Sequence, residues 1–269
     1  SGNRCTSDSK FSIDYVHETI VRVAPDGTMS VVAKHDTESA PAPGCAVAGR
    51  RPEGLVSPSR DSSLISSNAS FLSKMAHLEA ASVVAFEQMA SELRHHGAPS
   101  DLVARAEAAR TDEVRHAETM SLLAKASGAH IPAVNIMKNR AGARSLLDMA
   151  IENVAEGCVR ETFGALVAHR QAKTAHSTAM RFAMQTIARD ETEHAALSWD
   201  LHTWIMTQLT DSERGLVSDA FARAARDLEL ECQAVESEEV RRSLGLPDAA
   251  ESLELARGLI EQLKLGVAA

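Results

Sequence analysis

At 269 residues the chain can form one large domain or two small ones, with enough length to bury a substantial core. Hydrophobic residues make up 44% but aromatics only 3%, so the core must be mainly Ala, Leu, Val and Met, which favours closely packed helices. The net charge of −9 argues against nucleic acid or an anionic membrane as the main partner, and no run of about 18 apolar residues occurs, so no membrane span is expected.

The first residues, Ser1-Gly2-Asn3, lack an initiator Met and read as a trimmed terminus or a cloning remnant, which leaves room for a removed export signal. Cys5 and Cys45 fall in the loop-rich N-terminal part. They either pair as a disulfide, implying an oxidising compartment such as the periplasm or cell envelope, or remain two thiols; export is favoured slightly over the cytoplasm. Apolar and polar residues alternate over Phe11–Val16 and over part of Thr28–Ala33, around the turn residues Pro25-Asp26-Gly27, which predicts a β-hairpin. Residues 38–70 hold four prolines among Gly and Ser and read as an irregular linker, in which Arg50-Arg51 is expected to be solvated.

Four long helices follow. The first is expected from about Ser70 to His96, stopped by Gly97-Ala98-Pro99, and the second from a Ser100 cap to near Gly128. A connection over 129–143 leads to a third helix ending near Thr174, and a fourth runs from Ser177 to about Leu209. Capping-box patterns at Thr210/Glu213 and Asp248/Glu251 open two C-terminal helices, at about 211–236 and 249–264, read as structural or as a homodimer surface. The expected organisation is an extension over 1–66, a bundle over 67–209 and a helical extension over 210–269.

Within the bundle one unit occurs twice, 78 residues apart: Asp112-Glu-Val-Arg-His116-Ala and Asp190-Glu-Thr-Glu-His194-Ala. Residues three apart on a helix share a face, so each Glu-x-x-His can aim a carboxylate and an imidazole at one point, and two such pairs can share two metals. A third copy, Glu92/His95, lacks the same context. Glu79 lies 34 residues before Glu113, Glu156 lies 35 before Glu191, and each is followed seven residues later by Phe, Phe86 and Phe163. The chain therefore reads as a duplicated helical hairpin, each copy offering one Glu and one Glu-x-x-His. Asp112 and Asp190 are either acceptors for the imidazole N–H of the opposite pair or exposed helix positions.

Four helices supplying Glu, Glu-x-x-His, Glu and Glu-x-x-His resemble the ferritin-like di-iron or di-manganese carboxylate bundles, including bacterial ferritin-like domain proteins without an assigned reaction. The resemblance spans roughly Ser67 to Leu209. It implies a mainly α, ferritin-like four-helix bundle, with the hairpin and two C-terminal helices added. It also implies ligands at Glu79, Glu113, His116, Glu156, Glu191 and His194, and two iron ions, with manganese or a mixed pair as alternatives. Helix 3 leaves a choice open, because spacing favours Glu156 while Glu161 falls on the apolar seam Leu147, Ile151, Val154, Cys158, Glu161, Ala165. A π-bulge near Gly157 would bring both inward and make Glu161 a seventh ligand.

Function follows from the metal. A di-iron site implies activation of dioxygen or peroxide, as an oxidase, hydroxylase or peroxidase acting on a small molecule. Iron handling as a ferroxidase is the second reading, and a structural metal-bound bundle with a protein partner the third. No C-x-x-C occurs, so an electron donor would be separate, and the lone Tyr15 lies outside the bundle, which argues against a tyrosyl radical.

Overall fold

The computed structural model of the chain describes residues 14–23, 29–39, 49–56, 66–137, 142–234 and 236–267. They belong to two units, Ser1–Pro43 and Gly44–Ala269. In the first unit, β1 (Asp14–Val23) and β2 (Met29–Ser39) pair antiparallel from Asp14↔Ser39 to Val23↔Met29, with a register shift after Ile20. The turn expected at Pro25-Asp26-Gly27 lies outside the described residues.

The second unit is mainly helical. Its first pair is α1 (Ser67–His95) and α2 (Ser100–Ala126). Ser66 caps α1 by accepting from Ala69 N, and Gly97, at φ +67°, turns the chain after it, a conformation that costs glycine little. Such a short connection makes the two helices antiparallel neighbours. The expected Ser100 cap is corrected: Pro99 is the N-cap residue, no side chain caps the helix, and Ser100 is its first residue.

The second pair begins at α3 (Leu146–Glu152), capped by Ser145, which runs through a π-helical segment, Asn153–Glu161, into α4 (Thr162–Thr174). Opposite lies α5 (Thr178–Met206), capped by Ser177. Alternating small and large buried side chains join the pairs: Ala76, Phe86, Met89, Met120, Phe163, Met184, Leu197 and Leu201 are all buried. Alanines let the backbones approach while Met and Phe fill the remaining gaps.

Past the bundle-like core come α6 (Asp211–Glu231), with the Thr210/Glu213 capping box complete, α7 (Glu238–Leu244) and α8 (Ala249–Val267). The single helix expected over 211–236 is thus shorter. The short α7 that follows docks on the end of α4, where Gln171 Nε2 donates to Leu244 O and Thr174 Oγ1 to Gly245 O. Asp248 and Glu251 exchange backbone-to-carboxylate bonds of 3.0 and 2.9 Å at the start of α8. Upstream of α1, residues 49–56 form a strap: Leu55 bridges Ile136, Val56 N donates to Asn135 O, and Met137 N donates to Gly54 O. No described helix is long and apolar enough to cross a membrane.

Candidate metal centre

Three helices meet at one buried cluster. α1 supplies Glu79, α2 supplies Glu113 and His116, and α5 supplies Glu191 and His194; all five side chains are buried. The i, i+3 spacing puts each Glu-His pair on the inward face of its helix. Glu79, Glu113, His116 and Glu191 offer ligand atoms that all lie within 4.8 Å of one another and can hold a metal ion. His194 Nδ1 adjoins them, 3.2 Å from Glu113 Oε1 and 3.9 Å from Glu191 Oε1. His116 Nδ1 lies 3.6 Å from Glu113 Oε2, 3.5 Å from Glu191 Oε1 and 3.9 Å from Glu79 Oε2. Glu113 and Glu191 therefore stand between two imidazoles whose ring centroids are 5.9 Å apart.

The outer ring nitrogens fix the orientation of both imidazoles. His116 Nε2 is 3.1 Å from Asp190 Oδ2, and His194 Nε2 is 3.4 Å from Asp112 Oδ2, so each repeat's aspartate faces the other repeat's histidine. An ionised carboxylate only accepts, so Nε2 carries the proton and Nδ1 is the nitrogen aimed at the cluster. Arg115, exposed, donates to both aspartates, at 2.6 Å to Asp112 and 3.3 Å to Asp190. Phe86 packs its ring 5.0 Å from that of His194.

Seven of the twelve buried side-chain atoms without a hydrogen bond among the described residues lie on these acids and histidines and on Glu161. Glu79 Oε2, both Glu113 oxygens, Glu191 Oε1, Glu161 Oε1, His116 Nδ1 and His194 Nδ1 are buried with no hydrogen-bond partner among the described residues. Each unsatisfied buried polar atom costs about 1–3 kcal/mol, and ionised ones cost more. Carboxylate and imidazole together are the donor set of Fe(II), Mn(II) and Zn(II), so a divalent metal fits these residues. Without metal, protons must do part of that work. Burial and the neighbouring Glu113 raise the Glu79 carboxyl well above its usual range. Glu113 is also pushed up by burial, but the imidazoles of His116 and His194, 3.6 and 3.2 Å from its oxygens, prevail and bring it down to about 2. His116 is raised to about 12 despite burial, which opposes its charge, because the carboxylates of Glu113 and Glu191 stand 3.6 and 3.5 Å from its Nδ1 and favour the charged ring.

On the third helix, spacing singled out Glu156. The structure places its carboxylate on Arg51, with Oε2 2.9 Å from Nε and Oε1 2.6 Å from Nη2, and the Arg51 partnership outweighs burial to lower its pKa. Glu161 instead lies on the inward seam with Val154, Cys158 and Ala165, all buried. Ser198 Oγ donates to its Oε2 at 2.7 Å while Oε1 is unpartnered. Burial pushes Glu161 up to about 7 against the pull of Arg50 and His194. The π segment explains the difference from simple spacing, since its i→i+5 turns shift the helical phase between Glu156 and Glu161.

The expectation that Arg50-Arg51 is solvated is corrected for Arg50, whose side chain is 1% exposed. Its guanidinium donates to both Glu152 oxygens at 2.8 Å, to Asn153 Oδ1 at 3.0 Å and to Ser198 Oγ at 3.3 Å, and lies 3.7 Å from Glu161 Oε2. Arg50 is the centre's neighbour that sequence reasoning missed. A residue in a Pro-rich, non-periodic stretch carries no signal for the helix it will enter; only the unmatched acids on the third helix hinted that a cation was needed.

The remaining candidates lie elsewhere. Glu92 of the third Glu-x-x-His is bound by Arg144 through two nitrogens, and His95 stacks edge-on with His96. His77 Nδ1 is 3.1 Å from Pro132 O, and Trp199 donates to Thr162 Oγ1. Cys5 and Cys45 lie outside the described residues; within them, Cys158 is a free buried thiol and Cys232 is disulfide-bonded. No protein-family description matches the chain, and neither does any curated protein or solved structure.

Proposed function

We propose that this chain carries a dinuclear metal centre of the ferritin-like carboxylate type. Glu79 and His116 would hold one ion and Glu161 and His194 the other, with Glu113 and Glu191 available to both. The observation that carries this reading is the set of seven unpartnered buried atoms on Glu79, Glu113, Glu161, Glu191, His116 and His194. Two divalent ions would balance the four carboxylates and give each of those atoms a partner. Glu161 replaces Glu156 in the ligand set, because Glu156 already has Arg51.

Bound iron supplies one-electron redox chemistry and Lewis acidity toward dioxygen or peroxide, which makes the reading a non-haem oxidase, hydroxylase or peroxidase acting on a small molecule. The chain's part is to orient and to insulate. Asp112 and Asp190 hold both imidazoles with Nδ1 inward, and Arg115 fixes those two aspartates at the rim. Phe86, Met89, Phe163 and Leu197, all buried, support a dry surrounding that strengthens every charge interaction inside. No C-x-x-C is present, so electrons would come from a separate donor.

The depth of burial supports a second reading. All the ligand side chains are at most 5% exposed, which also suits a closed, structural metal centre whose surrounding helices bind a protein partner.

The test is anaerobic loading of metal-free protein with Fe(II), elemental analysis of bound metal, and optical spectra on adding dioxygen or hydrogen peroxide. About two irons per chain and a growing near-ultraviolet band support the redox centre. Turnover of many Fe(II) equivalents with the product retained would reassign it as a ferroxidase, and bound metal inert to both oxidants would favour the structural reading. Failure to bind Fe(II), Mn(II) and Zn(II) alike would refute the centre itself.

A further inference from the structure

We infer that Arg50 makes the two metal positions unequal, holding the one served by Glu161 and His194 at lower affinity than the one served by Glu79 and His116. This rests on the dinuclear reading above and goes beyond it by assigning a positioning residue from outside the four long helices. The sequence of the centre is two-fold, with one Asp-Glu-x-x-His in each half, yet the surroundings of its two outer carboxylates differ. Glu79 meets no Lys or Arg nitrogen within 4 Å among the described residues; its ionic neighbour is His116 at 3.9 Å. On that side the strap brings up Gly49, where an added Cβ would stand 3.2 Å from Glu79 Oε2 and 2.7 Å from Ser82 Cβ. Uncharged main chain closes this half.

Glu161 is already engaged. Its Oε2 accepts from Ser198 and faces the Arg50 guanidinium at 3.7 Å, and Arg50 also bonds Ser198 Oγ, so the three side chains form a chain of contacts. Only Oε1 is left for a metal. An ion entering beside Glu161 must share the carboxylate with a resident cation and meet that cation's field where water is excluded. Glu152, which accepts from Arg50 Nε and Nη2 at 2.8 Å each, anchors the guanidinium so that it cannot swing away. Gly157 leaves the space for this arrangement, because a Cβ there would fall 2.8 Å from Arg50 Nη1. The ligand atoms follow the same asymmetry: those converging within 4.8 Å come from Glu79, Glu113, His116 and Glu191, with neither Glu161 nor His194 among them.

Mn(II) titration followed by electron paramagnetic resonance, which counts free and bound ions without turnover, tests this. In the full chain, binding is expected in two steps separated by about tenfold or more. His194→Ala should remove the weaker step and His116→Ala the tighter one. Replacing the ion pair together, Arg50→Gln with Glu152→Gln, avoids leaving one buried charge unpaired and should tighten the weaker step about tenfold while the tighter step stays put. Arg50→Lys should restore the separation. Ser198→Ala, which frees Glu161 Oε2 without altering charge, should tighten the weaker step by a smaller factor and serves if the double variant does not fold. A single step of two equal ions, or a weaker step unmoved by these variants, overturns the inference and leaves the dinuclear centre standing. No bound ion at all overturns the centre instead.

Discussion

Gly157→Ala sets two rules against each other, and the structure decides between them. In a helix interior alanine is favoured over glycine by about 1 kcal/mol, so propensity alone predicts a gain. The new Cβ, however, would stand 2.4 Å from Ser198 Oγ, 2.6 Å from Ser198 Cβ and 2.8 Å from Arg50 Nη1. Neither neighbour can yield cheaply, because Ser198 is held to Glu161 and Arg50 is clamped by Glu152 and Asn153 in a fully buried position. Overpacking of this kind costs about 1–3 kcal/mol, and loss of the charged Ser198–Glu161 hydrogen bond about 1.5–3 kcal/mol more if the serine swings away. Set against the propensity gain, the net is a destabilisation of about 2 kcal/mol. For a chain of this size that lowers Tm by roughly 4–8 °C, read from circular dichroism at 222 nm on metal-free protein. Adding Ser198→Gly, which removes the two nearest contacts, should recover most of the loss. A Gly157→Ala protein as stable as the parent, or more so, would refute the close approach of α5 and the strap to the π segment.

Glu113→Ala should abolish binding of the metal pair and His194→Ala should cut it to a single ion, whereas His95→Ala and Glu92→Ala should keep both, the latter losing about 1–3 kcal/mol of stability as Arg144 gives up its closest carboxylate and keeps only Glu152 at 3.6 Å; equal binding by all four would sink the ligand assignment. By elemental analysis Glu161→Ala should lose more metal than Glu156→Ala, whose main effect is to free Arg51, and the opposite order would return the third-helix ligand to Glu156. Metal loading should release protons and strengthen as pH rises, since the His116 proton, held up to about 12, must leave Nδ1 first; calorimetry in two buffers of different ionisation enthalpy that finds no proton release would contradict this. In the metal-free protein the raised His116 stabilises fully below the unfolded histidine value of about 6.5 and loses that contribution as pH climbs through about 12. Glu113, lowered to about 2, stabilises above the unfolded value of about 4.3 and loses its contribution as pH falls through about 2.

Local chemistry made the helices legible. Ser177, Thr210 and Asp248 each bond the backbone at the helix start that the sequence marks, whereas α1 is capped by Ser66, ahead of the expected start near Ser70, and α2 begins without the expected Ser100 cap. The cluster on α2 and α5 was legible for the same reason, because i, i+3 spacing is a property of one helix. Glu156 and Glu161 were not separable in this way. The match of 34 and 35 residues assumes an uninterrupted helical phase, which the π segment breaks; the apolar seam, a record of burial, points to Glu161. Arg50 was illegible because its partners lie about 100 and 150 residues away in sequence, and no local pattern in the strap reflects them. The break of α6 before α7 likewise follows from docking on α4, a contact that 211–236 does not carry in itself.

The strap changes what the sequence duplication means. Two copies of a Glu and a Glu-x-x-His suggest a centre that four helices complete between them, with interchangeable halves. The structure adds Gly49 and Arg50, and they treat the halves differently: Arg50 N donates to Ser82 Oγ on α1, three residues after Glu79, while its guanidinium crosses to Glu152 and Ser198 beside Glu161. One short segment thus sets main chain against one outer carboxylate and a cation against the other. A buried cation between Glu152 and Glu161 costs desolvation energy that an apolar residue of similar volume would avoid, so its presence is poorly explained by stability alone. It is better explained by what it does to Glu161, whose Oε2 it approaches to 3.7 Å beside the Ser198 hydroxyl while Oε1 stays unpartnered. The four helices fix which residue types converge, and the strap would fix how evenly they share the proposed metal pair.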